Sequence, residues 1–421
     1  MSTSRRDFMK TGAAVAAASV IPTAVHAAGN DVIRVGLIGC GGRGNGAVGN
    51  CLEAGKEGVK LVAVGDVFEA KAKSSAKMWG QEKYKSQVDL GDRVFHGLDA
   101  YKQVINAGVD LVMLATPPGF RPIHLEAAVK AGKHIFCEKP VAVDAPGIRK
   151  CLSLVEEINQ KKLALVAGTQ RRHQAGYIET VKRIKDGAIG DIVSTRCSWN
   201  GDGIWFHSRK PGESDVEYEL RNWYHFLWVC GDHIVEQHVH NLDVINWIMG
   251  SHPVKAVGFG GRTAGNPSRP NGDPNKVGNI WDHFAVEFEY ENGVPLSSYC
   301  CHLAKTKSDV SETVYGTKGS SRVNAYQINK KSVFGRDAVD PYVQEHIDLH
   351  ASIRAGKPLN ELKNVAESTM TAILGRTACY SGKVVKWDEL LKSNLSTMPE
   401  HLAMDSKIEV PPVPVPGKYV F

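Results

Sequence analysis

The sequence shows few of the features that mark specialised classes of protein. Its nine cysteines are odd in number and include no CxxC pair, which argues against a zinc ribbon or a disulfide framework. A net charge of only +6 over 421 residues does not indicate nucleic-acid binding. It has no internal repeat and no apolar run of the roughly 20 residues that a bilayer requires. The composition therefore predicts two or three folded domains with a small-molecule ligand and no membrane anchor.

The first thirty residues resemble a twin-arginine (Tat) export signal. A run containing Arg5 and Arg6 is followed by a weakly hydrophobic, alanine-rich stretch at residues 11–21, and cleavage is expected after Ala27. We predict a signal peptide at residues 1–29 and a periplasmic or secreted mature protein. The Tat route carries folded proteins, so the scattered cysteines are compatible with folding in the cytoplasm before export.

A glycine-rich turn follows the first predicted strand, at residues 32–38. Gly39, Gly41 and Gly44 fit GxGxxG, which lets a backbone approach a pyrophosphate at a helix N-terminus. A second apolar strand ends at Asp66, 22 residues beyond Gly44, where a carboxylate binds the adenosine ribose. The spacing predicts dinucleotide binding, and NAD is favoured over NADP because Asp66 would repel a 2′-phosphate.

Further apolar runs alternate with helical segments. Strands are predicted at residues 110–115, 134–137 and 163–168, with a helix at residues 123–131. Alternation at this spacing indicates right-handed βαβ units and a doubly wound parallel sheet. Thr116 and Pro117 follow a strand at its carboxyl end, the edge where ligands bind in such sheets.

Three ordered motifs, GLIGCGGRG, ATPP followed by His124, and EKPVAVD, resemble the Gfo/Idh/MocA family of glucose–fructose oxidoreductases and inositol dehydrogenases. The resemblance implies a Rossmann NAD-binding domain at residues 30–172. It also implies that Lys139, in the EKP motif, lies between nicotinamide and substrate. The cofactor-binding residues implied in this way are Gly39, Gly41, Gly42, Arg43, Gly44, Asp66, Thr116, Pro117, His124, Glu138, Lys139 and Gln170.

The second half shows the pattern of a sheet with one buried face. Between Phe284 and Tyr290, apolar and polar residues alternate with period 2, which predicts a large open, mainly antiparallel sheet in an α+β domain at residues 173–400. The family resemblance makes this domain the substrate-binding half and its sheet the face of a homo-oligomer, a dimer or tetramer. Residues 401–421 are predicted to form a proline-rich extended arm available to a neighbouring subunit.

The chemistry is predicted to lie at residues 231–247. The family pattern DxGxHxxD corresponds here to Glu236, His240 and Asp243, and on a helix Glu236 and His240 share one face. We predict His240 as the base for a substrate hydroxyl, Lys139 as its partner and Glu236 as the substrate anchor. The remaining predicted substrate contacts are Arg171, His173, Tyr224, His225 and Asp243.

Two features leave alternatives open in this half. His238 stands where the family often has glycine and is expected to crowd the pocket, while His233, Glu236 and His240 would share a helical face that could hold a divalent metal. We predict no metal, because the dehydrogenase assignment already uses two of the three. Four tryptophans suit either sugar stacking or a core or subunit interface: Trp199, Trp205, Trp223 and Trp228.

Together these observations predict an exported NAD(P)-dependent oxidoreductase that acts on a sugar, polyol or glycoside. Free NAD is not expected outside the cytoplasm, so the cofactor is expected to stay bound and be recycled. The main alternative is a redox-assisted glycoside hydrolase or lyase of the NAD-dependent alpha-N-acetylgalactosaminidase type, although the Tyr-x-x-His arrangement of those enzymes is not evident. A non-catalytic sugar-binding protein is the third, and the intact set of Lys139, Glu236 and His240 argues against it.

Overall fold

The computed structural model describes residues 31–266 and 272–421. The predicted signal peptide lies outside the described residues. Two sheets organise the rest: a six-stranded sheet built from the first part of the chain and a nine-stranded sheet built from the second. None of the helices in the described ranges is both long and apolar enough to cross a bilayer.

The first sheet is parallel throughout and has the order β3-β2-β1-β4-β5-β6. Its strands are β1 (Ile33–Ile38), β2 (Val59–Asp66), β3 (Val94–His96), β4 (Leu111–Leu114), β5 (His134–Cys137) and β6 (Leu165–Ala167). The helices of this part are α1 (Gly42–Gly55), α2 (Glu69–Trp79), α3 (Ala100–Asn106), α4 (Arg121–Lys130) and α5 (Ala145–Gln160). This order is that of a doubly wound Rossmann sheet, with its ligand crevice between β1 and β4, and it confirms the predicted fold class. Strands covered on both faces are apolar along their whole length, as β4 is.

The second sheet has the order β14-β13-β12-β11-β7-β10-β9-β8-β15. Its strands are β7 (Ile192–Gly201), β8 (Lys255–Gly261), β9 (His283–Glu289), β10 (Pro295–His302), β11 (Asp309–Gly316), β12 (Gly319–Arg322), β13 (Gln327–Ile328), β14 (Lys331–Ser332) and β15 (Val385–Lys386). In the part of the chain that the structure describes, β7 and β10 pair in parallel and the other neighbours are antiparallel. The predicted mainly antiparallel sheet is therefore confirmed.

Nine further helices accompany this sheet within the described ranges. They are α6 (Ala175–Lys185), α7 (Asp215–Arg221), α8 (Leu227–Cys230), α9 (His233–Glu236), α10 (Val239–Met249), α11 (Pro274–Val277), α12 (Pro341–Arg354), α13 (Leu362–Ser381) and α14 (Trp387–Lys392). Helix α13 is buried almost throughout and crosses the inner face of the sheet, where Gly375 comes so close to the Phe288 ring that a Cβ would lie 2.6 Å from it. A helix that is buried on all sides is a core element, and α13 fills the space behind the substrate half.

The chain returns to the first sheet after completing the second. Helix α12 packs along α1. The segment that follows α12 pairs with β6, where the backbone of Leu165 accepts a hydrogen bond from Glu361 N at 3.0 Å and donates one to Leu359 O at 2.7 Å. Residues 341–361 therefore belong structurally to the nucleotide half, although they follow the second sheet in sequence.

The proline-rich tail makes contacts with its own chain. Pro414 O accepts from Trp281 Nε1 at 3.1 Å, and Pro411 O accepts from Asn279 Nδ2 at 3.1 Å. Proline carbonyls remain good acceptors, and buried donors of the second half use them, so part of the predicted extended arm at residues 401–421 packs on its own chain.

Candidate active site

The glycine-rich turn forms a tight connection from β1 to α1. Gly39 has a φ of +102°, and a Cβ on Gly44 would lie 1.9 Å from Gly39 O, so α1 packs directly against the turn. Gly41 and Gly42, in contrast, have no neighbouring atom within 4 Å of a Cβ position. They leave open space at the N-terminus of α1, where backbone N–H groups and the helix dipole favour a pyrophosphate. The turn fits a dinucleotide.

Asp66 ends β2 at the same edge and is held in position. Its Oδ2 accepts from Cys40 N at 2.8 Å and its Oδ1 from Phe68 N at 2.9 Å. Burial raises the pKa of Asp66 above its ordinary value, while these amides favour its charged form. A carboxylate so fixed keeps lone pairs directed at the cavity, which suits a pair of ribose hydroxyls.

The cavity, of about 650 Å³, is lined by both halves of the chain. Its predicted cofactor residues are Gly39, Gly41, Gly42, Arg43, Gly44, Asp66, Thr116, Pro117, His124, Glu138 and Lys139. Its predicted substrate-side residues are Trp199, Trp205, Trp223, Tyr224, Glu236 and His240. A concave site of this size between two domains is the usual location of a small-molecule pocket.

Arg43 links the turn to the EKP segment. Its guanidinium donates to Glu138 Oε1 and to Glu345 Oε1, the latter at 3.3 Å, and lies over the Tyr342 ring at 4.9 Å. Burial and the charge of Glu138 raise the pKa of Glu345 well above its ordinary value. The cluster thus holds one face of the nucleotide turn against the start of α12.

His124 lies on the opposite wall beside Thr116. Its Nδ1 is 3.1 Å from Thr116 Oγ1, and its ring stacks on Tyr101 with centroids 4.3 Å apart. Burial and then the charge of Arg121 lower the pKa of His124 to about 3. The imidazole is neutral at neutral pH and orients the threonine hydroxyl at the strand end.

The three predicted catalytic residues converge on the cavity. Lys139 Nζ donates hydrogen bonds to two oxygens of Glu236, the backbone oxygen and Oε1. The distance from Nζ to Oε1 is 3.1 Å. Glu236 Oε2 is buried and has no hydrogen-bond partner in the described part of the chain. Lysine and glutamate therefore form a buried ion pair that leaves one acceptor available to a ligand.

His240 completes the set from the first turn of α10. Its ring stacks on Trp199, with centroids 5.7 Å apart and an interplanar angle of 20°. Burial, and then the charge of Lys139, lower the pKa of His240 well below its ordinary value. Both effects hold the imidazole in its neutral form.

Aromatic side chains form much of the substrate-side wall. Trp199, Trp205, Trp223 and Tyr224 line the cavity, whereas Trp228 does not and packs edge-on against Phe120, centroids 5.9 Å apart. The two explanations for the tryptophans thus apply to different residues: three suit stacking on a ligand and one is core.

Five predicted residues do not line the cavity, because partners elsewhere hold their side chains. Asp243 accepts from Arg172 and from Ser368 Oγ, and Arg171 pairs with Glu312 at 2.6 Å. The five predicted residues that lie outside the cavity are Gln170, Arg171, His173, His225 and Asp243. Sequence alone did not reveal the acids that pair with the arginines, because Glu312 lies 141 residues from Arg171.

The side chains of the other three residues also contact partners within the protein. Gln170 Nε2 donates to Tyr342 Oη at 3.1 Å, His225 Nε2 lies 2.6 Å from Trp205 O, and His173 Nδ1 lies 2.7 Å from Asp348 Oδ2. These contacts support the cavity walls from behind.

The histidines of the catalytic segment do not form the metal face that the spacing suggested. The helix is interrupted between α9 and α10, so His233, Glu236 and His240 are not on one continuous face, and their ligand atoms do not come together. His233 lies 3.3 Å from Tyr224 Oη through Nδ1. His238 Nε2 lies 2.7 Å from Ser298 Oγ on the sheet, so its ring is outside the cavity and does not crowd it.

Sequence reasoning missed several residues that line the cavity, among them Tyr101, Phe120, Arg121 and Tyr342. Phe120 and Arg121 follow the ATPP motif after a single intervening residue, Gly119, so their position after a strand end was an available signal. No local sequence signal marked Tyr342, because it lies on α12, about three hundred residues after the nucleotide turn.

Comparisons with known proteins match both halves of the chain to one family. The Gfo/Idh/MocA model, described as an oxidoreductase family with an NAD-binding Rossmann fold, matches residues 33–169, and the GFO/IDH/MocA C-terminal domain model matches residues 177–322. A model of the TAT (twin-arginine translocation) pathway signal sequence matches residues 2–22.

Curated relatives include inositol dehydrogenases. The chain is 29% identical to an inositol 2-dehydrogenase of Rhizobium meliloti over 53% of this chain and 57% of the relative. It is 26% identical to inositol 2-dehydrogenase 3 of Saccharopolyspora erythraea over 84% of this chain and 95% of the relative. It is also 26% identical to inositol 2-dehydrogenase 1 of Saccharopolyspora erythraea over 58% of this chain and 62% of the relative, so this match and the Rhizobium meliloti match each span less than two thirds of the relative's length.

Solved structures share the fold. The scyllo-inositol dehydrogenase of Lactobacillus casei with bound NAD(H) and scyllo-inositol is 20% identical, with a TM-score of 0.63 over 85% of this chain and 100% of that one. The aldose-aldose oxidoreductase of Caulobacter crescentus complexed with glycerol is 18% identical, with a TM-score of 0.63 over 84% and 99%.

Proposed function

The chain belongs to the Gfo/Idh/MocA family of oxidoreductases, and on that premise we propose that it is an exported NAD-dependent dehydrogenase of a sugar or polyol CH–OH group. The observation that carries the proposal is the convergence of Lys139, Glu236 and His240 on the cavity that the nucleotide turn also lines. A binding protein without catalysis would have no need for a buried ion pair and a neutral imidazole at that point.

The three residues have distinct roles in this proposal. Bound NAD would accept a hydride from the substrate carbinol. His240, neutral because of its burial, takes the hydroxyl proton as the carbonyl forms. The ammonium of Lys139 stabilises negative charge on the substrate oxygen, and the free Oε2 of Glu236 accepts a hydrogen bond from a neighbouring hydroxyl.

The substrate class follows from the wall chemistry. Flat aromatic faces at Trp199, Trp205 and Trp223 suit the apolar face of a ring, while Glu236 and Lys139 suit its hydroxyls. The curated relatives named inositol dehydrogenases support a polyhydroxylated ring as substrate.

Asp66 carries the proposed preference for NAD over NADP. Because its carboxylate is fixed by two backbone amides, it cannot turn away from a 2′-phosphate. We expect wild type to bind NAD at least about tenfold more tightly than NADP, and Asp66→Ser to reduce that ratio. The measurement is fluorescence titration of nucleotide-free protein. Equal affinities in wild type would contradict the assignment.

Export of the protein would require that the cofactor is retained and recycled. The match of residues 2–22 to a TAT signal supports transport of the folded protein, and free NAD is not expected beyond the cytoplasm. The cofactor would then have to remain bound and be reset within the site, either by a second substrate or by oxidation and re-reduction of one molecule.

The experiment uses protein purified without added nucleotide. Absorbance and mass spectrometry determine whether NAD copurifies, and the protein is then incubated with sugars, inositols and aryl glycosides. Reduction of the bound cofactor that requires an acceptor for its reversal supports the dehydrogenase. Release of an aglycone with no net redox change would replace it by the glycoside-cleaving alternative, and failure to bind any nucleotide would overturn both.

A further inference from the structure

Helices α1 and α12 lie side by side and run in the same direction. Near their N-terminal ends Arg43 Nη2 lies 3.3 Å from Glu345 Oε1, and beyond the end of α1 Arg354 Nη2 donates to Gly58 O at 2.7 Å. Between these contacts the facing surfaces are buried, and three side chains with metal-binding donors meet there. They are Cys51 on α1 and His346 and His350 on α12.

The spacing of the three donors suits one ion. One ligand atom from each residue lies within 4.8 Å of the other two, and Cys51 Sγ is 3.5 Å from His350 Nε2. In a tetrahedral zinc site, bonds of about 2.3 Å to sulfur and about 2.0–2.1 Å to nitrogen place those atoms about 3.6 Å apart. His346 and His350 are four residues apart, so both imidazoles project from one face of α12.

The hydrogen bonding of the cluster is incomplete. His346 is fully buried, yet neither ring nitrogen has a partner within the described residues, and His350 Nδ1 also lacks one. The Phe136 ring packs on His346 with centroids 4.3 Å apart and covers one side of the imidazole. Buried imidazole nitrogens are ordinarily satisfied, and a bound cation would satisfy one on each ring.

We propose that Cys51, His346 and His350 bind a Zn²⁺ ion that joins the nucleotide domain to the returning helix α12. Thiolate and imidazole are donors that zinc prefers, and three of them leave a fourth position for water. Binding forms one Zn–S and two Zn–N bonds and releases the thiol proton to solvent, with no change of oxidation state. Cys51 lies eight residues along α1 from Arg43, about 12 Å at 1.5 Å per residue, so the ion is separate from the proposed catalytic site.

The test uses tag-free full-length protein loaded with Zn²⁺ and desalted, with metal content measured by mass spectrometry. We expect about one zinc per chain in wild type, loss of it in Cys51→Ser and His350→Asn, and retention in Cys151→Ser. Cys151 is the matched control, because it is also a buried thiol but lies outside the cluster. Nucleotide binding measured in parallel reports folding independently of metal.

A second measurement decides the matter if the variants do not fold. Wild type loaded with Co²⁺ should show an intense thiolate-to-cobalt charge-transfer band, and chelation should lower its melting temperature. Folded wild type that takes up neither Zn²⁺ nor Co²⁺ would overturn the proposal. So would zinc that persists in both Cys51→Ser and His350→Asn, or a cobalt spectrum without a thiolate band.

Discussion

At Lys139 the ammonium has two acceptors on one residue, the Oε1 and the backbone oxygen of Glu236. The double contact fixes the lysine at a point where a substrate oxygen can approach it. It also fixes the carboxylate, whose second oxygen remains unpartnered among the described residues. The pair is therefore prepared before a ligand arrives, which is the arrangement that electrostatic stabilisation of a transition state requires.

Lys139→Ala and His240→Ala are each expected to lower kcat by about 10²–10⁴-fold, because a positioned charge or proton acceptor is lost from the reacting centre. NAD should remain bound, since the glycine turn and Asp66 are intact. Single-turnover kinetics with the bound nucleotide measured by absorbance provide the test. Lys130→Ala, an exposed lysine paired with Glu126, serves as control. Loss of nucleotide from either variant would count against the assigned roles.

Among the secondary-structure elements, α1 depends on a glycine for its position. Because a Cβ at Gly44 would overlap Gly39 O at 1.9 Å, Gly44→Ala must displace α1 from the turn. We expect NAD affinity to fall at least about tenfold, measured by titration of nucleotide-free protein. Gly49→Ala on the same helix meets only Trp79, at 3.6 Å, and should bind NAD normally with equal or about 0.5–1 kcal/mol greater stability. Equal NAD affinity in the two variants would contradict this view of the turn.

His173 ties α12 and the segment after it to the nucleotide half. Burial opposes its charged form, but Asp348 and Glu361, at 2.7 and 3.2 Å, raise the pKa of His173 to about 10. This folded-state pKa is above the unfolded value near 6.5, so the resulting stability is fully present below about pH 6.5 and is lost as pH rises towards 10.

His173→Gln should therefore be less stable than wild type at pH 6, by on the order of 2–4 kcal/mol, and the difference should shrink by pH 10. Denaturant unfolding of both proteins at the two pH values measures it, and groups that titrate in both proteins cancel from the comparison. A difference that stays constant or grows with pH would show that His173 is not held in its charged form.

At the scale of the whole molecule, one face of the second sheet carries exposed aromatic side chains among the described residues. Phe259 on β8, Tyr299 on β10 and Tyr315 on β11 are 72%, 40% and 43% exposed on the side of the sheet opposite α13. Exposed aromatic residues on one face of a sheet are typical of a protein–protein interface, which agrees with the oligomer that the family resemblance implies.

The double variant Phe259→Glu with Tyr299→Glu should lower the mass in solution relative to wild type, because two carboxylates would be buried in a subunit interface. Light scattering coupled to gel filtration gives the mass, and Val420→Glu, at an exposed position near the C-terminus, is the control. Wild type that is monomeric at micromolar concentration would contradict an oligomer through this face.

The sequence by itself determined the features that local chemistry dictates. The strands β1, β2, β4, β5 and β9, the GxGxxG turn, Asp66 at a strand end and Lys139 after β5 were all predictable. Apolar periodicity and glycine backbone freedom act within a few residues, so they can be identified along the chain. Glu236 and His240, which the sequence predicted as site residues, both line the cavity, although the helix expected to carry both is interrupted between them.

Only the tertiary structure decided which distant residues meet. Tyr342 reaches the cavity and Cys51 meets His346 and His350 because α12 packs beside α1, about three hundred residues earlier in the chain. Arg171, His173 and Asp243 do not line the cavity, because residues of opposite charge on other elements form ion pairs with their side chains. The physical reason is that burial of a charge requires a partner, and the packing of whole elements, which no local pattern records, determines which partner is near.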